Sequence, residues 1–304
     1  MKKFIDILNE SEQVINTDSK VLNEDLHPEL KSVLNNDKYP AHSKITAFTK
    51  KTRQMIKNGE DTGLEEDKPK KGSSRAVWFP KEPKKITIDG QHTTIPTAVK
   101  VAFKGQLDHY TGDDKLLGEQ QNENESSYFH QQHYAVLKPS ENHGGTYETR
   151  EDGVLAPVLD RHDEGHWLEM AKADKFDHKR FREATKTDDM PKGMTFKDFS
   201  NVVLDEHELS KGKSKFRTKT MPPEHYDKVL EHPFTQSVMG FCSDTQTHPI
   251  DIAGNPRNMG IFKHPITGKD HPVILDYGFN SDTEKAYTKA RRNLSASRMG
   301  GRYY

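Results

Sequence analysis

The apolar residues between positions 26 and 59 recur at the spacing of one helical face. Pro40 and Gly59 bracket the longer of two such stretches, since proline is tolerated at a helix start and glycine favours a helix end. The apolar positions of the two predicted helices are Leu26, Leu30, Val33 and Leu34, then Ile45, Phe48, Met55 and Ile56. Residues 57–71 are charged, which predicts a linker and a domain boundary close to Gly72.

From Gly72 the pattern changes to that of strands. The stretches "GSSRAVWFP", "TAVKVAFKG", "GVLAPVLDRH" and "GHWLEMAKAD" each predict a strand, and "KKITIDGQHTTI" predicts a hairpin. Asp89 and Gly90 supply its tight turn, because this pair accepts the positive φ angles that a two-residue turn requires. In "TAVKVAFKG" the alternation places Val99 and Val101 on one face and Lys100 on the other.

Beyond residue 180 the helical period returns, in "TFKDFSNVVLDEHEL" and "EHYDKVLEHPFTQSVMGF". Strands followed by helices predict an α+β protein, with a small β-rich lobe joined to a helical lobe. We therefore divide the chain into a polar and helical N-terminal extension with its linker at 1–71, a β-rich lobe at 72–172, a helical lobe at 173–283 and a basic tail at 284–304.

The composition narrows the classes of partner. The 304 residues include 46 Lys and Arg against 47 Asp and Glu, so the net charge gives no argument for a nucleic-acid or membrane surface. No apolar run approaches the roughly 20 residues that span a bilayer. We accordingly expect neither a membrane nor a nucleic-acid partner. The single Cys242 excludes an internal disulfide, favours a reducing compartment and indicates a small buried apolar side chain.

A few charged and amide side chains interrupt these apolar elements. Lys100 lies within a predicted strand, where its charge must find a partner or reach water at a sheet edge. Glu125 follows on a predicted polar helix, either as its ionic partner or as a solvated side chain. Asp251 and Asn258 lie in a loop broken by glycine and proline, and Asp276 ends the apolar run of "HPVILDYGFN". A carboxylate at the end of a buried strand is costly unless it is paired or holds a metal ion.

The order strand lysine, helix glutamate, loop aspartate and asparagine, then aspartate before glycine resembles that of protein kinases. The chain is also similar to a family of kinase-like proteins encoded by large tailed bacteriophages. That resemblance covers roughly residues 72–290 and is carried by "GSSRAVW", "TAVKVAFKG", "LGEQQNENE", "PIDIAGNPRNMGIF" and "VILDYGF". It implies a protein-kinase-like bilobal fold, with a β-rich N-lobe, a helical C-lobe and a nucleotide pocket.

The resemblance implies ATP and Mg²⁺ as cofactors and gives each residue a task. Lys100 would neutralise the ATP phosphates, and Glu125 would orient the lysine. Asp251 would accept the proton of the attacking hydroxyl group. Asn258 and Asp276 would hold Mg²⁺, which demands hard oxygen ligands.

Two further stretches would bind the nucleotide. The first is a turn that comprises Gly72, Ser73, Ser74 and Arg75. Its backbone N–H groups would cradle the phosphates, or the turn would be a plain entry into a strand. Adenine would stack in an apolar slot and bond to the backbone near Glu169 to Ala171, in a stretch that resembles the hinge between kinase lobes. A Trp-Leu strand in any β-rich lobe has the same pattern.

Three departures from the kinase pattern leave alternatives open. The phosphate turn has a single glycine, Gly72. Asn258 follows Asp251 with two more residues between them than kinases have, so the loop bulges, or Asn255 is the metal ligand, or Asp251 is not a base. After Phe279 no separate activation segment is visible. The sequence therefore predicts ATP–Mg²⁺-dependent phosphoryl transfer to an unknown acceptor, or a catalytically inactive pseudokinase that serves as a structural or interaction protein.

The stretch "MKKFIDILNES" at the N-terminus is similar to the short segments that target phage proteins to proheads. In those segments a prohead protease cuts after a triplet such as Leu8-Asn9-Glu10. This similarity implies a partner protein in the virion or the host, and a location in the host cytoplasm or packaged in the virion.

Overall fold

A computed structural model describes residues 26–39, 41–66, 68–71, 75–102, 130–140, 145–162 and 165–277. They form a mixed α+β structure, which confirms the predicted class. The predicted targeting segment, the turn at 72–74, Glu125 and the basic tail lie outside the described residues.

The helices precede, separate and follow the strands. They are α1 (Pro28–Leu34), α2 (Ala41–Lys57), α3 (Gln131–Tyr134), α4 (His178–Ala184), α5 (Phe196–Ser210), α6 (Pro223–Glu231), α7 (Pro233–Thr245) and α8 (Pro249–Ile252), with a 3₁₀ turn at Pro256–Asn258. The strands are β1 (Lys70–Lys71), β2 (Arg75–Trp78), β3 (Lys84–Ile88), β4 (Gln91–Ile95), β5 (Thr97–Ala102), β6 (Leu137–Pro139), β7 (Thr146–Thr149), β8 (Val158–Arg161), β9 (Trp167–Ala171), β10 (Asp174–Lys175), β11 (Met259–Lys263) and β12 (Asp270–Ile274).

The strand that carries Lys100 is the middle one of a five-stranded antiparallel sheet, in the order β1-β2-β5-β9-β8. Lys100 is paired in register with Val77 of β2 and with Leu168 of β9. The prediction of a lysine that reaches water at a sheet edge is therefore wrong, because β5 has a neighbour on each side.

Alternate residues of β5 enter two different cores. Val99 and Val101 pack with α1, α2 and the indole rings of Trp78 and Trp167. Ala98, on the other face, belongs to a cluster that includes residues of β3, β8 and β12. Because side chains alternate along a strand, Lys100 lies on the face opposite α1 and α2.

Two smaller sheets complete the strand arrangement. The predicted hairpin forms between β3 and β4, with Asp89 and Gly90 at φ angles of 50° and 79° in its turn. It extends to a four-stranded sheet in the order β4-β3-β7-β6, in which β3 and β7 are parallel. A third sheet has the order β10-β11-β12. The sequence pattern did not predict β7 or β10, and β1 lies in the segment that was predicted as a linker.

Gly260 in the middle of β11 allows two segments to approach closely. A Cβ atom at this position would lie 2.7 Å from Leu275 Cδ1 and 2.8 Å from the carbonyl oxygen of Asp174. Contacts this short would push β10 or Leu275 away, so glycine is the residue that fits. The segment that follows β12 is thereby held against β11.

The helices in the second half of the chain begin where local chemistry predicts. Thr195 caps α5, since its Oγ1 accepts a hydrogen bond from the N–H of Asp198 at 3.0 Å. The stretch predicted as one helical pattern divides into α6 and α7 at His232, because Pro233 has no N–H to continue a helix. These helices share one core, whose aromatic members include Phe181, Phe196, Phe199 and Phe234.

Cys242 lies in this core, as the sequence predicts. Burial, with a contribution from the negative charge of Asp251, raises the pKa of its thiol to about 12. The side chain is thus protonated at neutral pH and is an apolar packing group. No helix among the described residues combines the length and the apolar character needed to cross a membrane.

His271 on β12 is a buried histidine with an unsatisfied ring nitrogen. The residue is 4% exposed, and its Nε2 has no hydrogen-bond partner among the described residues. Burial lowers the pKa of the imidazole to about 4, and the nearby Lys269 adds to the effect. The folded protein therefore holds this ring neutral at pH values where an unfolded chain would protonate it.

We expect His271 to make the protein less stable at acidic pH. Between pH 6.5 and 4 the unfolded state binds a proton that the folded state excludes, so the free energy of unfolding falls as the pH is lowered. From pH 6.5 to pH 5 this histidine should account for about 1.5 kcal/mol. Between pH 6.5 and pH 5, the free energy of unfolding of His271→Phe, measured by urea denaturation, should fall by about 1.5 kcal/mol less than that of the wild type. Equal curves for His271→Phe and the wild type would contradict the assignment.

Candidate functional site

Lys100 connects the five-stranded sheet to the segment that follows β12. Its Nζ donates a hydrogen bond to the carbonyl oxygen of Leu275. The side chain is half-buried, so the ammonium group has both a protein partner and a route to solvent. The lysine thus stands where the sheet meets the end of another strand.

The backbone around Leu275 is fixed from two sides. The N–H groups of Leu275 and Asp276 both donate to the carbonyl oxygen of Asn258, at 2.8 and 3.2 Å. One residue earlier, the N–H of Ile274 donates to the carbonyl oxygen of Val154 at 2.7 Å. These bonds make Asn258 a direct neighbour of the Asp276 backbone.

Asn258 also contacts Asp251, although seven positions separate them in the chain. Its Nδ2 donates to the carbonyl oxygen of Asp251 at 2.7 Å and to the Oδ1 atom of Asp251 at 2.8 Å. The short helix α8 and the 3₁₀ turn take up the additional residues, so the loop bulges. Asn255 is used within that bulge, since its Oδ1 accepts from the N–H of Arg257 and its Nδ2 donates to Asn258 Oδ1 at 3.2 Å.

Asp276 and Tyr277 face opposite environments at the end of β12. Asp276 is exposed, whereas Tyr277 is 6% exposed and packs edge-on against Phe241, with ring centroids 4.9 Å apart. The tyrosine anchors the turn in the helical core, and the carboxylate stays accessible to solvent. The charge at the end of this buried strand therefore avoids the full desolvation penalty.

Behind Lys100 the space between the sheet and β12 is nearly filled. A cavity of about 10 Å³ is lined by apolar residues of β8, β9 and β12 together with Lys100 and Tyr277. This volume holds a single water molecule at most. A nucleotide base would not fit there in this conformation.

Glu169 lies on the other face of the sheet. It is paired with Val99 across β5 and β9, so its side chain is on the α1 and α2 side rather than on the Lys100 side. Its Oε2 accepts a hydrogen bond from Lys84 Nζ at 2.7 Å, and the side chains are only 6% and 4% exposed. The backbone N–H of Ala171, close by, donates to the carbonyl oxygen of Pro157 at 2.7 Å. The adenine contact near Glu169 stays a prediction.

Four of the predicted residues are therefore connected by hydrogen bonds. Lys100, Asp251, Asn258 and Asp276 meet through the carbonyl groups of Asn258 and Leu275. Among the described residues, no three His, Cys, Asp or Glu side chains cluster as a metal-binding group. A metal ion at this position would depend on one carboxylate and one asparagine amide. For Arg75 only the backbone, in β2, is described.

The sequence did not predict the residues that hold this arrangement together. The hydrogen bond from Lys100 goes to a backbone atom of Leu275, so the pattern of side chains in the sequence does not predict this contact. His248 caps α8 through its Nδ1, and its Nε2 lies 3.2 Å from the Nε2 of His207 on α5. The His-Pro pair before "ID" is a helix-start signal that could have located this cap.

The buried ion pair between Lys84 and Glu169 allows the contact between β3 and β9 to be tested. We expect Lys84→Met to destabilise the protein by about 3–5 kcal/mol, because it leaves a buried carboxylate without its cation. The double variant Lys84→Met, Glu169→Met should recover most of that loss, since the uncompensated charge is then removed as well. Both changes are measured by urea denaturation.

The matched control is Lys228→Met, which breaks the exposed pair between Lys228 and Glu224 on α6. That change should lower the free energy of unfolding far less than Lys84→Met does, because water screens an exposed pair. A Lys84→Met variant as stable as the control would show that the buried pair does not form in solution.

Searches against protein-family models and against curated proteins found no match to this chain. The function must therefore be argued from the residues and their geometry.

Proposed function

We propose that this protein binds ATP with Mg²⁺ beside Lys100 and transfers the terminal phosphoryl group to an acceptor. The observation that carries the proposal is the chain of hydrogen bonds from Lys100 through Leu275 and Asn258 to Asp251. Lys100 is distant in the sequence from Asp251 and Asn258. The types of these three residues and their order along the chain are those that kinases use for phosphoryl transfer.

The proposed roles follow from the atoms that each side chain offers. The ammonium group of Lys100 neutralises phosphate charge, and the carboxylate of Asp251 accepts the proton of the acceptor hydroxyl group. Asn258 and Asp276 provide the oxygen ligands that Mg²⁺ prefers. The ion itself supplies charge neutralisation on the phosphate oxygens. Because Asp276 is exposed, the phosphates approach from the solvent side rather than through the filled space behind Lys100.

The kinase-like arrangement of two lobes belongs to the same proposal. The five-stranded sheet carries Lys100, and the helical part, with the β10–β12 sheet, carries Asp251, Asn258 and Asp276. One core lies behind the sheet and one among the helices, and a third core, which contains Ala98 and Val273, packs the two parts against each other. The chain passes between the two parts after β9, at residues 172–173.

A catalytically inactive kinase-like protein that acts as an interaction module is the second candidate. Two observations favour it. The Oδ1 atom of Asp251 already accepts a hydrogen bond from Asn258 at 2.8 Å, and the cavity next to Lys100 is only about 10 Å³. The first engages an oxygen atom of the proposed base, and the second leaves no room for a nucleotide base behind Lys100.

We expect ATP with Mg²⁺ to stabilise the full-length protein against heat. Ligand at a thousand times its Kd contributes about 4 kcal/mol, which for a protein of this size raises the Tm by several degrees. Asp276→Asn should abolish the dependence of this shift on Mg²⁺, because it removes the charged ligand. The matched control, Asp188→Asn, changes an exposed acid far along the chain and should shift like the wild type. A wild type that does not shift would exclude the nucleotide site, as would a Mg²⁺-dependent shift that survives in Asp276→Asn.

Asp251 separates the enzyme from the inactive alternative. If Asp251 is the base, Asp251→Asn should lower the rate of ATP turnover or autophosphorylation by about 10²- to 10⁴-fold. The ATP–Mg²⁺ thermal shift should remain, since this residue is not assigned to binding. Turnover is measured as phosphate release and as phosphorylated protein by mass spectrometry. A wild type that binds ATP but shows no turnover would instead support the interaction module.

A further inference from the structure

The loop after α5 is strongly basic. Residues 211–222, here called the basic loop, contain no acidic residue. Its cations are Lys211, Lys213, Lys215, Arg217 and Lys219, and all five are exposed. This is a local concentration of positive charge in a chain whose overall charge is close to zero.

A buried carboxylate fixes the shape of the basic loop. Asp205 on α5 is fully buried and accepts hydrogen bonds from the N–H groups of Phe216, Arg217 and Thr218, at 3.3, 3.1 and 2.8 Å. The hydroxyl group of Thr218 donates to the same carboxylate at 2.6 Å. A charge that is buried and satisfied in this way holds the backbone of the loop in one conformation.

The tip of the basic loop presents an aromatic ring to solvent. Phe216 is 82% exposed, although its own backbone is held by Asp205. It lies between Lys215, whose Nζ is 3.3 Å from the centroid of the Tyr226 ring, and Arg217. An exposed phenyl ring on a fixed backbone, with a cationic residue before and after it in the chain, is a surface suited to a flat apolar group that carries negative charge nearby.

Part of this positive charge has no acidic partner among the described residues. Lys213 pairs with Glu208, and Arg217 lies 3.5 Å from Asp205. Lys211, Lys215 and Lys219 make no ion pair with the described residues. These three lysines carry positive charge that no described acid offsets, and the ammonium group of Lys215 also contacts the Tyr226 ring.

We propose that the basic loop binds single-stranded nucleic acid, with a base stacked on Phe216 and phosphates held by Lys211, Lys215 and Lys219. Single strands are bound by this combination of aromatic stacking and backbone neutralisation. A duplex would not offer an unstacked base to the ring, and an acidic peptide would not require the exposed phenyl group. The expectation of no nucleic-acid partner did not take the charge of this loop into account.

The basic loop lies close to the candidate site. His207, four residues before Lys211, contacts His248, which caps the helix that carries Asp251. The proposal itself depends only on the loop, so a failure of the ATP experiments would not remove it.

Fluorescence anisotropy of a labelled oligothymidylate of about 12 nucleotides, a length within the usual site size, tests the proposal on the full-length protein. Binding at low salt should weaken as salt is added, with a log–log slope of about −2 for three neutralised phosphates. Phe216→Ala should weaken binding by about tenfold or more, and Phe216→Trp should restore it. Because Phe216 is exposed, neither change should alter the Tm.

The triple variant Lys211→Gln, Lys215→Gln, Lys219→Gln should lose most of the affinity and most of the salt dependence. The control triple variant Lys50→Gln, Lys57→Gln, Lys85→Gln makes the same change of charge at exposed positions elsewhere and should bind like the wild type.

Three results would overturn the proposal. One is the absence of binding at low salt. Another is equal affinity of wild type and Phe216→Ala, with inorganic polyphosphate competing as well as the oligonucleotide, which would indicate a nonspecific anion surface. The third is preferential, Phe216-dependent binding to phosphatidylserine vesicles, which would identify a lipid surface instead.

Discussion

The position of the candidate site depends on one hydrogen bond, from Lys100 Nζ to the carbonyl oxygen of Leu275. A half-buried ammonium group on an apolar strand must have an acceptor, and this carbonyl is 175 positions away in the chain. The bond requires the end of β12 to lie under β5. With Leu275 in this position, Asn258 lies next to it, because the Asn258 carbonyl oxygen accepts hydrogen bonds from the N–H groups of Leu275 and Asp276. Asp251 then follows through Asn258 Nδ2.

The same constraint recurs wherever a charge is buried in this protein. Lys84 and Glu169 hold β3 to β9, and Lys44 of α2 donates to the carbonyl oxygens of Leu34 and Asn36 at the end of α1. Asp205 fixes the basic loop. Each of these charges costs desolvation energy that its hydrogen bonds must offset. Each also specifies one arrangement of distant segments, which apolar packing alone would leave less defined.

The local features of the fold could be predicted from the sequence, and the long-range ones could not. The Asp89–Gly90 turn and the two faces of β5 follow from nearest-neighbour chemistry and alternation. The short strands β7 and β10 exist because neighbouring segments pair with them, so their own residues carry no clear pattern. For the site, spacing suggested which residues matter. It could not show that a backbone carbonyl receives Lys100, or that Glu169 belongs to the opposite face of the sheet.

The net charge of the chain does not describe the charge of a local surface, for a related physical reason. Charges on a protein surface act over about a Debye length, roughly 8–10 Å, so a partner experiences the local patch and not the sum over the chain. Many acidic side chains in this protein form ion pairs with particular cations, as Asp270 does with Arg180. The five cations of the basic loop face two acids, Glu208 and the buried Asp205. Asp205 offsets the charge of Arg217 and also accepts hydrogen bonds from the backbone at Phe216. The same carboxylate therefore fixes the backbone of the aromatic residue within the basic loop. A net charge near zero for the chain therefore coexists with a local surface of positive charge.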